Sequence, residues 1–309
     1  MTFAESGITL HPALPVLLSF VLTLVMSTGG VTGAFVLLPF QVSVLGYTAA
    51  GVTPTNHLFN VVAIPSGVYR YVREGRMVWP LALVLVVGTA PGVVLGSLAR
   101  IHLLPDPRGF KLFMGLVLLL IGTRLLYKAL LAGAGTTADS GSGSPSPHGR
   151  GGPGERADFR VHTLRFGIRR LEYEFNGAEY SVPVWLLLGL SLVVGVIGGA
   201  YGVGGGAILA PLLISVFRLP VHTTAGATLL GTWTSSTIGV GFFAVLAASQ
   251  DEPGLSPDWM LGLLFGVGGI LGMYTGAALQ RRLQAQWIES VLGIGVTALA
   301  LAYVIGYFL

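Results

Sequence analysis

The sequence contains no cysteine, which excludes disulfides, thiolate metal sites and thiol catalysis together. Charge is scarce as well: Asp, Glu, Lys and Arg make up 10% of the chain, where soluble domains carry about a quarter. No Asp or Glu stands in the middle of any apolar run, so a carboxylate site for a proton or sodium ion inside a membrane is not expected. The opening stretch MTFAESGITLHP holds Glu5 and no Lys or Arg. It lacks the basic region of a secretory signal, and the first apolar segment is expected to be retained. A phosphate loop of the form GxxxxGK[ST] is absent, and no HExxH, paired Asp or Ser-Lys dyad falls within an apolar run. Nucleotide binding, catalysis, a metal and a cofactor are therefore not expected. The net charge of +4 comes largely from Lys and Arg at the edges of apolar runs, which gives no reason to expect a nucleic-acid partner.

What remains is hydrophobic: 53% of the residues are apolar and the mean hydropathy is +0.78. Runs long enough to cross about 30 Å of hydrocarbon, roughly 20 residues each, occupy 53–72, 78–99, 110–131, 221–247, 258–279 and 286–308. Their length indicates helices rather than barrel strands. Two further runs, 12–46 and 184–217, are too long for one span and are interrupted by glycines. Between the apolar halves, 133–154 has the composition of a flexible linker. In 159–182, Leu171, Tyr173 and Phe175 alternate with polar residues up to Asn176-Gly177, and Tyr180 and Val182 resume the alternation, a β-hairpin pattern.

The halves match each other. Sliding the chain by 172 positions lays Gly30, Val31, Gly33 and Pro39 over Gly202, Val203, Gly205 and Pro211. Sliding it by 180 lays Trp79, Gly88, Gly92 and Gly96 over Trp259, Gly268, Gly272 and Gly276. The chain thus reads as a duplication: a first transmembrane repeat at 1–132, an extramembrane segment at 133–183, and a second repeat at 184–309. Loop charge bears on orientation. Parallel halves would divide Arg70, Arg73, Arg76, Arg100, Arg108, Lys111, Lys128, Arg281 and Arg282 four against five; inverted halves divide them six against three, closer to the positive-inside rule. Inversion requires an odd number of crossings per half. The expected fold is an all-α integral membrane protein of two inverted repeats, each with a re-entrant, glycine-broken segment and three spanning helices.

Repeated halves with broken helices at matching positions point to a transport site near the midplane. Gly202, Gly204 and Gly205, with Gly30 and Gly33 in the other copy, are expected to shape the breaks. The helix starts that follow present unpaired N–H groups suited to an anion. Thr28 and Thr32 add hydroxyls. Asn56 falls over Thr228 and Asn60 over Thr232, with Ser235 beyond, so uncharged hydrogen-bonding groups recur four apart on one helical face. Hydroxyls of this kind also bond their own helix. His57 is the one titratable side chain near the expected pocket, a candidate proton relay or else a simple helix contact. For the glycines spaced by four in 88–96 and 268–276, close helix packing is the expected use.

GGVTGAFVLLP at 29–39, YGVGGGAILAPLL at 201–213 and LPVHTTAGATLL at 219–230 resemble the TauE/SafE sulfite-exporter family, also called the 4-toluene sulfonate uptake permeases. The likeness covers both halves and leaves out the central loop. The first copy departs at Thr32, opposite Gly204, and at Thr53-Pro54-Thr55-Asn56, where a GTS-like run is the pattern. The resemblance implies a multi-pass transporter of sulfite, a sulfonate or a related small organosulfur anion, working by alternating access in the lipid bilayer. Export of an anion runs down the inside-negative potential, whereas uptake requires a coupled cation such as a proton or sodium ion. An anion channel, or a sensor using the central hairpin, is the alternative.

Overall fold

Apolar runs punctuated by glycine and proline fold as helices in the computed structural model, which describes residues 1–28, 32–134, 161–175, 177–250, 254–279 and 285–308. The first half contains α1 (Ala13–Thr28), α2 (Ala34–Ser43), α3 (Val52–Arg73), α4 (Trp79–His102) and α5 (Pro107–Ala134). Three strands follow, β1 (Val161–Phe166), β2 (Arg170–Phe175) and β3 (Ala178–Pro183). The second half contains α6 (Val184–Tyr201), α7 (Gly206–Val216), α8 (Val221–Gln250), α9 (Trp259–Leu279) and α10 (Ala285–Phe308). Both over-long runs are thus split, α1 from α2 and α6 from α7. The second arms have 10 and 11 residues, about 15–16 Å at 1.5 Å per residue, half a membrane.

Among the described residues, four helices are long and apolar enough to cross a membrane: α4, α6, most of α8 and most of α9. The first arm of the second broken run, α6, therefore has spanning length by itself. Helix α3 falls outside this group because it opens on Thr53-Pro54-Thr55-Asn56-His57 and closes on Tyr69-Arg70-Tyr71-Val72-Arg73. The outer faces are as apolar as the interior, with Leu17, Leu83, Val87, Leu120 and Val245 exposed, as a lipid-facing surface requires. Trp79, Trp185 and Trp259 stand exposed at the starts of α4, α6 and α9, the interfacial position favoured by indole.

The helices pair in couples that recur when the halves are exchanged: α4 with α6 and α9 with α1, α3 with α9 and α8 with α4. Glycine sets the first couple. A Cβ on Gly88 would meet Leu188 and Ser191, one on Gly92 would meet Leu192 and Gly195, and one on Gly96 would meet Val196 and Ala200. Residue numbers rise together, so α4 and α6 run parallel. Gly268, Gly272 and Gly276 approach Val16, Phe20 and Leu24 on α1 in the same parallel sense. By contrast α3 and α8 are antiparallel, with His57 against Gly239 and Tyr71 against Gly226, and so are α5 and α10, with Gly115 against Tyr303 and Leu126 against Gly293.

Two sets of helix ends gather at opposite ends of the bundle. At one, Ser6 donates from its N and Oγ to Asp258 Oδ2, Gly51 N donates to Gly254 O at 2.7 Å, and Asp258 N donates to Thr55 Oγ1 at 2.8 Å. These join the lead-in to α1 with the starts of α3 and α9. At the other, Val161 N donates to Gly75 O, and the Tyr173 and Thr223 hydroxyls are 3.0 Å apart. These join the end of α3 and the start of α8 to the sheet, from which β3 leads directly into α6. The sheet is antiparallel in the order β1-β2-β3, with β2 and β3 turning at 176–177; Asn176 lies outside the described residues, and Gly177 has φ +75°. Strand β1 adds a third strand to the expected hairpin. Leu171, Tyr173 and Phe175 are buried, and burial raises the Tyr173 phenol to about 12 although its bond to Thr223 pulls the other way.

The glycine seams leave no space for a side chain: a Cβ at position 92 would lie 2.5 Å from Leu192 O, and one at 272 would lie 2.6 Å from Phe20 O. Gly92→Leu and Gly272→Leu should each cost at least about 1–3 kcal/mol through overpacking. Thermal unfolding of the purified protein in detergent should show this as a lowered Tm. Gly189→Leu, where a Cβ meets nothing, should leave the Tm near that of the parent.

Candidate functional site

Both breaks end against α3. The chain leaves α6 through Gly202, which is left-handed at φ +81°, and turns again through Gly204 at φ +74°, a conformation open to glycine and costly for other residues. Gly205 has an ordinary helical φ; its constraint is space, since a Cβ would lie 2.8 Å from Thr89 Cγ2. Gly33, at the start of α2, is likewise held to glycine by Thr23, whose Cα would lie 3.0 Å away.

An interrupted helix leaves carbonyls unpaired, and side chains of α3 collect them. Asn56 is fully buried. Its Nδ2 donates to Gly202 O at 2.9 Å and to Ala34 O at 3.1 Å, while its Oδ1 accepts from Gln41 Nε2 at 3.2 Å. One amide therefore holds a carbonyl from each broken segment. One turn on, Asn60 Nδ2 donates to Val203 O at 2.8 Å and to Ser236 Oγ at 3.3 Å. Thr53 Oγ1 reaches Ala200 O at 3.5 Å, and Tyr201 OH donates to Phe35 O at 3.0 Å.

Helix α8 approaches from the other side. A Cβ on Gly206 would strike Thr228 O and Thr232 Oγ1, so α7 starts in direct backbone contact with α8. Gly205 N donates to Ser235 Oγ at 3.3 Å, and Ser235 in turn donates to Thr232 O. The hydroxyls of Thr228 and Thr232 donate to carbonyls of their own helix, Thr224 O and Thr228 O. His57 is fully buried with Nδ1 at 3.2 Å from Ser236 Oγ.

Of the residues singled out from the sequence, Asn56, Asn60, His57, Gly202, Gly204, Gly205, Thr228, Thr232 and Ser235 thus lie in one cluster between α3, α7 and α8. Thr32 and Gly33 stand at the start of α2 beside them. The Thr32 hydroxyl is buried and has no hydrogen-bond partner among the described residues, whereas the N–H groups of Asn56 and Asn60 are engaged. The Thr28 side chain and Gly30 lie outside the described residues. Sequence reasoning passed over Gln41, which orients Asn56, and Gly206; the run of three glycines at 204–206 was the available signal for the latter. Ser236, which follows Ser235 directly in the sequence, joins His57 to Asn60. No group of His, Asp and Glu suited to a metal ion occurs among the described residues.

An apolar-surfaced helical bundle with a buried polar cluster at paired helix breaks defines a multi-pass membrane protein. The chain belongs to the sulfite exporter TauE/SafE family, whose model matches residues 15–303. It is similar to the "Probable membrane transporter protein YunE" of Bacillus subtilis, 23% identical over 74% of this chain and 71% of that protein. It is also similar to a "Probable membrane transporter protein" of Xylella fastidiosa, 25% identical over 75% of this chain and 70% of that protein. A third relative, the "Probable membrane transporter protein y4hK" of Sinorhizobium fredii, is 22% identical over 89% of this chain and 91% of its own. No solved structure matches the chain. The protein is thus a membrane transporter, with a small-molecule substrate and the lipid bilayer as its partners.

Asn56→Ala should leave Gly202 O and Gln41 Nε2 without their partner, at about 1–3 kcal/mol for each buried group left unpaired, while Ala34 O keeps its place in the α2 ladder and loses only a second bond, giving a lowered Tm in detergent. Thr228→Ala, whose hydroxyl bonds only its own helix, should change the Tm little. Equal melting of the two variants would show that the Asn56 bonds do not hold the breaks.

Proposed function

We propose that the protein moves a small sulfur-containing anion, such as sulfite or a sulfonate, across the membrane by alternating access between two inverted repeats. The observation that carries this reading is the meeting of the two breaks on Asn56, within a buried cluster that is polar and uncharged. Neutral N–H and O–H groups with glycine-shaped helix starts suit an oxyanion, and the apolar surroundings strengthen each such bond.

Several observations support inversion. Helix α3 runs antiparallel to α8, and α5 to α10, as equivalent elements do when related by an axis in the membrane plane. The lead-in to α1 and the start of α3 meet at one end of the bundle, and the starts of α6 and α8 at the other. Each broken segment on this reading enters and leaves on one side. Arg70, Arg73 and Arg76 close α3 at the sheet end, which makes that end cytoplasmic by the positive-inside rule.

An arriving anion competes for the donors that now hold carbonyls. Where its oxygens take the Asn56 and Asn60 N–H groups, Ala34 O, Gly202 O and Val203 O are released and the breaks are free to move against α3. Binding and the loosening of the tie are then one event. The inside-negative potential favours export; uptake needs a coupled proton or sodium ion, and His57, bonded to Ser236 inside the cluster, is the candidate relay for a proton.

Proteoliposomes loaded with unlabelled sulfite should accumulate labelled sulfite by counterflow, with saturable rates. Linear flux without counterflow would identify a channel instead. Because the chain has no cysteine, Arg73→Cys at the end of α3 and Ser256→Cys in the loop before α9 report orientation directly. Impermeant maleimide should label them from opposite faces of the membrane, and labelling from the same face would exclude inversion.

A further inference from the structure

The cluster at the breaks holds no full positive charge, yet the proposed cargo is an anion. Among the described residues, one buried cation has unused capacity. Arg100, in the last turn of α4, is fully buried and is the largest side chain so enclosed among the described residues. Its Nη1 donates to Leu104 O, and its guanidinium carbon lies 3.9 Å from the centre of the Phe110 ring. Its Nε and Nη2 have no hydrogen-bond partner among the described residues. These two N–H groups form one edge of the guanidinium, the parallel pair that grips two oxygens of a single anion.

A second group on the same face is also unspent. Ser97, three residues earlier and therefore on the same side of the helix, is fully buried with an unpartnered Oγ. The parallel seam of α4 with α6 locates both. Gly96 faces Val196 and Ala200, so Ser97 and Arg100 stand level with the stretch where α6 ends and the break begins. A chain of aromatic rings, Phe110, Phe113, Tyr201 and Phe35, runs from Arg100 to both broken segments at centroid spacings of 6.0–6.4 Å. A buried guanidinium with two idle donors is expensive unless a partner of opposite charge arrives.

We propose that Arg100 and Ser97 form a buried subsite for the transported oxyanion beside the second helix break, with Arg100 Nε and Nη2 taking two oxygens and Ser97 Oγ a third. This rests on the reading that the cargo is a small sulfur oxyanion, and it gives that cargo its countercharge. A monatomic halide offers the fork nothing to grip with both arms, so the subsite favours sulfite or methanesulfonate over bromide.

Binding of sulfite, methanesulfonate and bromide to the purified full-length protein, by calorimetry and thermal shift, tests the proposal through Arg100→Lys, Arg100→Met and Ser97→Ala. Arg100→Lys keeps a charge without the fork. It should lose about tenfold in affinity for both oxyanions, the loss of one charge-assisted hydrogen bond, while bromide binding stays as it is. Arg100→Met should lose more, with an unliganded Tm at or above that of the parent, since a buried unpaired charge has gone. Oxyanion affinity within about twofold of the parent in folded Arg100→Lys or Arg100→Met would overturn the proposal. Should Arg100→Met not fold, Arg100→Lys and Ser97→Ala decide the matter. If the parent binds the oxyanions and the variants bind them equally, this subsite alone is wrong; if the parent binds none, the transport reading falls and the subsite with it.

Discussion

Backbone polar groups at the depth of lipid have no water to turn to, and every structure that breaks a helix there must supply other partners. In this protein the partners are two side-chain amides on one face of α3. Asn56 takes Ala34 O and Gly202 O, and Asn60 takes Val203 O. Part of the polarity of α3 follows from that duty: Thr53, Asn56 and Asn60 stabilise the interruptions beside it. Helix α8 has the complementary task, offering Ser235 Oγ to the first free N–H of the α7 start.

The amides can do this only if the breaks arrive at the right height, and the glycine seams set the height. Close approach along Gly88, Gly92 and Gly96 fixes α6 against α4, and Gly268, Gly272 and Gly276 fix α1 against α9. With no side chains between the backbones there is little freedom to slide. Each seam joins a helix of one half to a helix of the other, so the halves are interlocked and neither buries its breaks alone. The seam also explains why Arg100 ends up enclosed: one turn past Gly96, it lies where α6 gives way to the turn at 202–205.

Much of this was legible in the residues. Runs of apolar sequence marked the helices to within a few positions, because length and lack of charge are direct demands of the bilayer. The paired glycines separated into two uses, seams at spacing four and turns at GVGGG. The partners of the polar side chains were less legible. Asn56 read as a free donor because a sequence shows an amide and not the carbonyls that surround it; the interrupted helix that needs it comes from the other half of the chain. The hydroxyls of Thr228 and Thr232 carried two readings, and their bonds here go to their own helix. Arg100 read as a loop charge at odds with the positive-inside pattern. It is a buried side chain instead, because α4 continues past it to His102.

The uncharged nature of the tie bears on motion. A neutral hydrogen bond contributes about 0.5–1.5 kcal/mol net, whereas breaking a buried ion pair costs about 3–5 kcal/mol. Held by amides, the two breaks are secured by a few exchangeable bonds, each of which an oxyanion can replace in kind. On the proposed alternating-access reading, a Lys or Asp in the place of Asn56 would bind one state too firmly to leave it. On the same reading, full charge is better placed to one side, where it can attract an anion without fastening the backbone of the breaks. Arg100 occupies such a place, on the rigid α4 with its idle edge at the level of the turn.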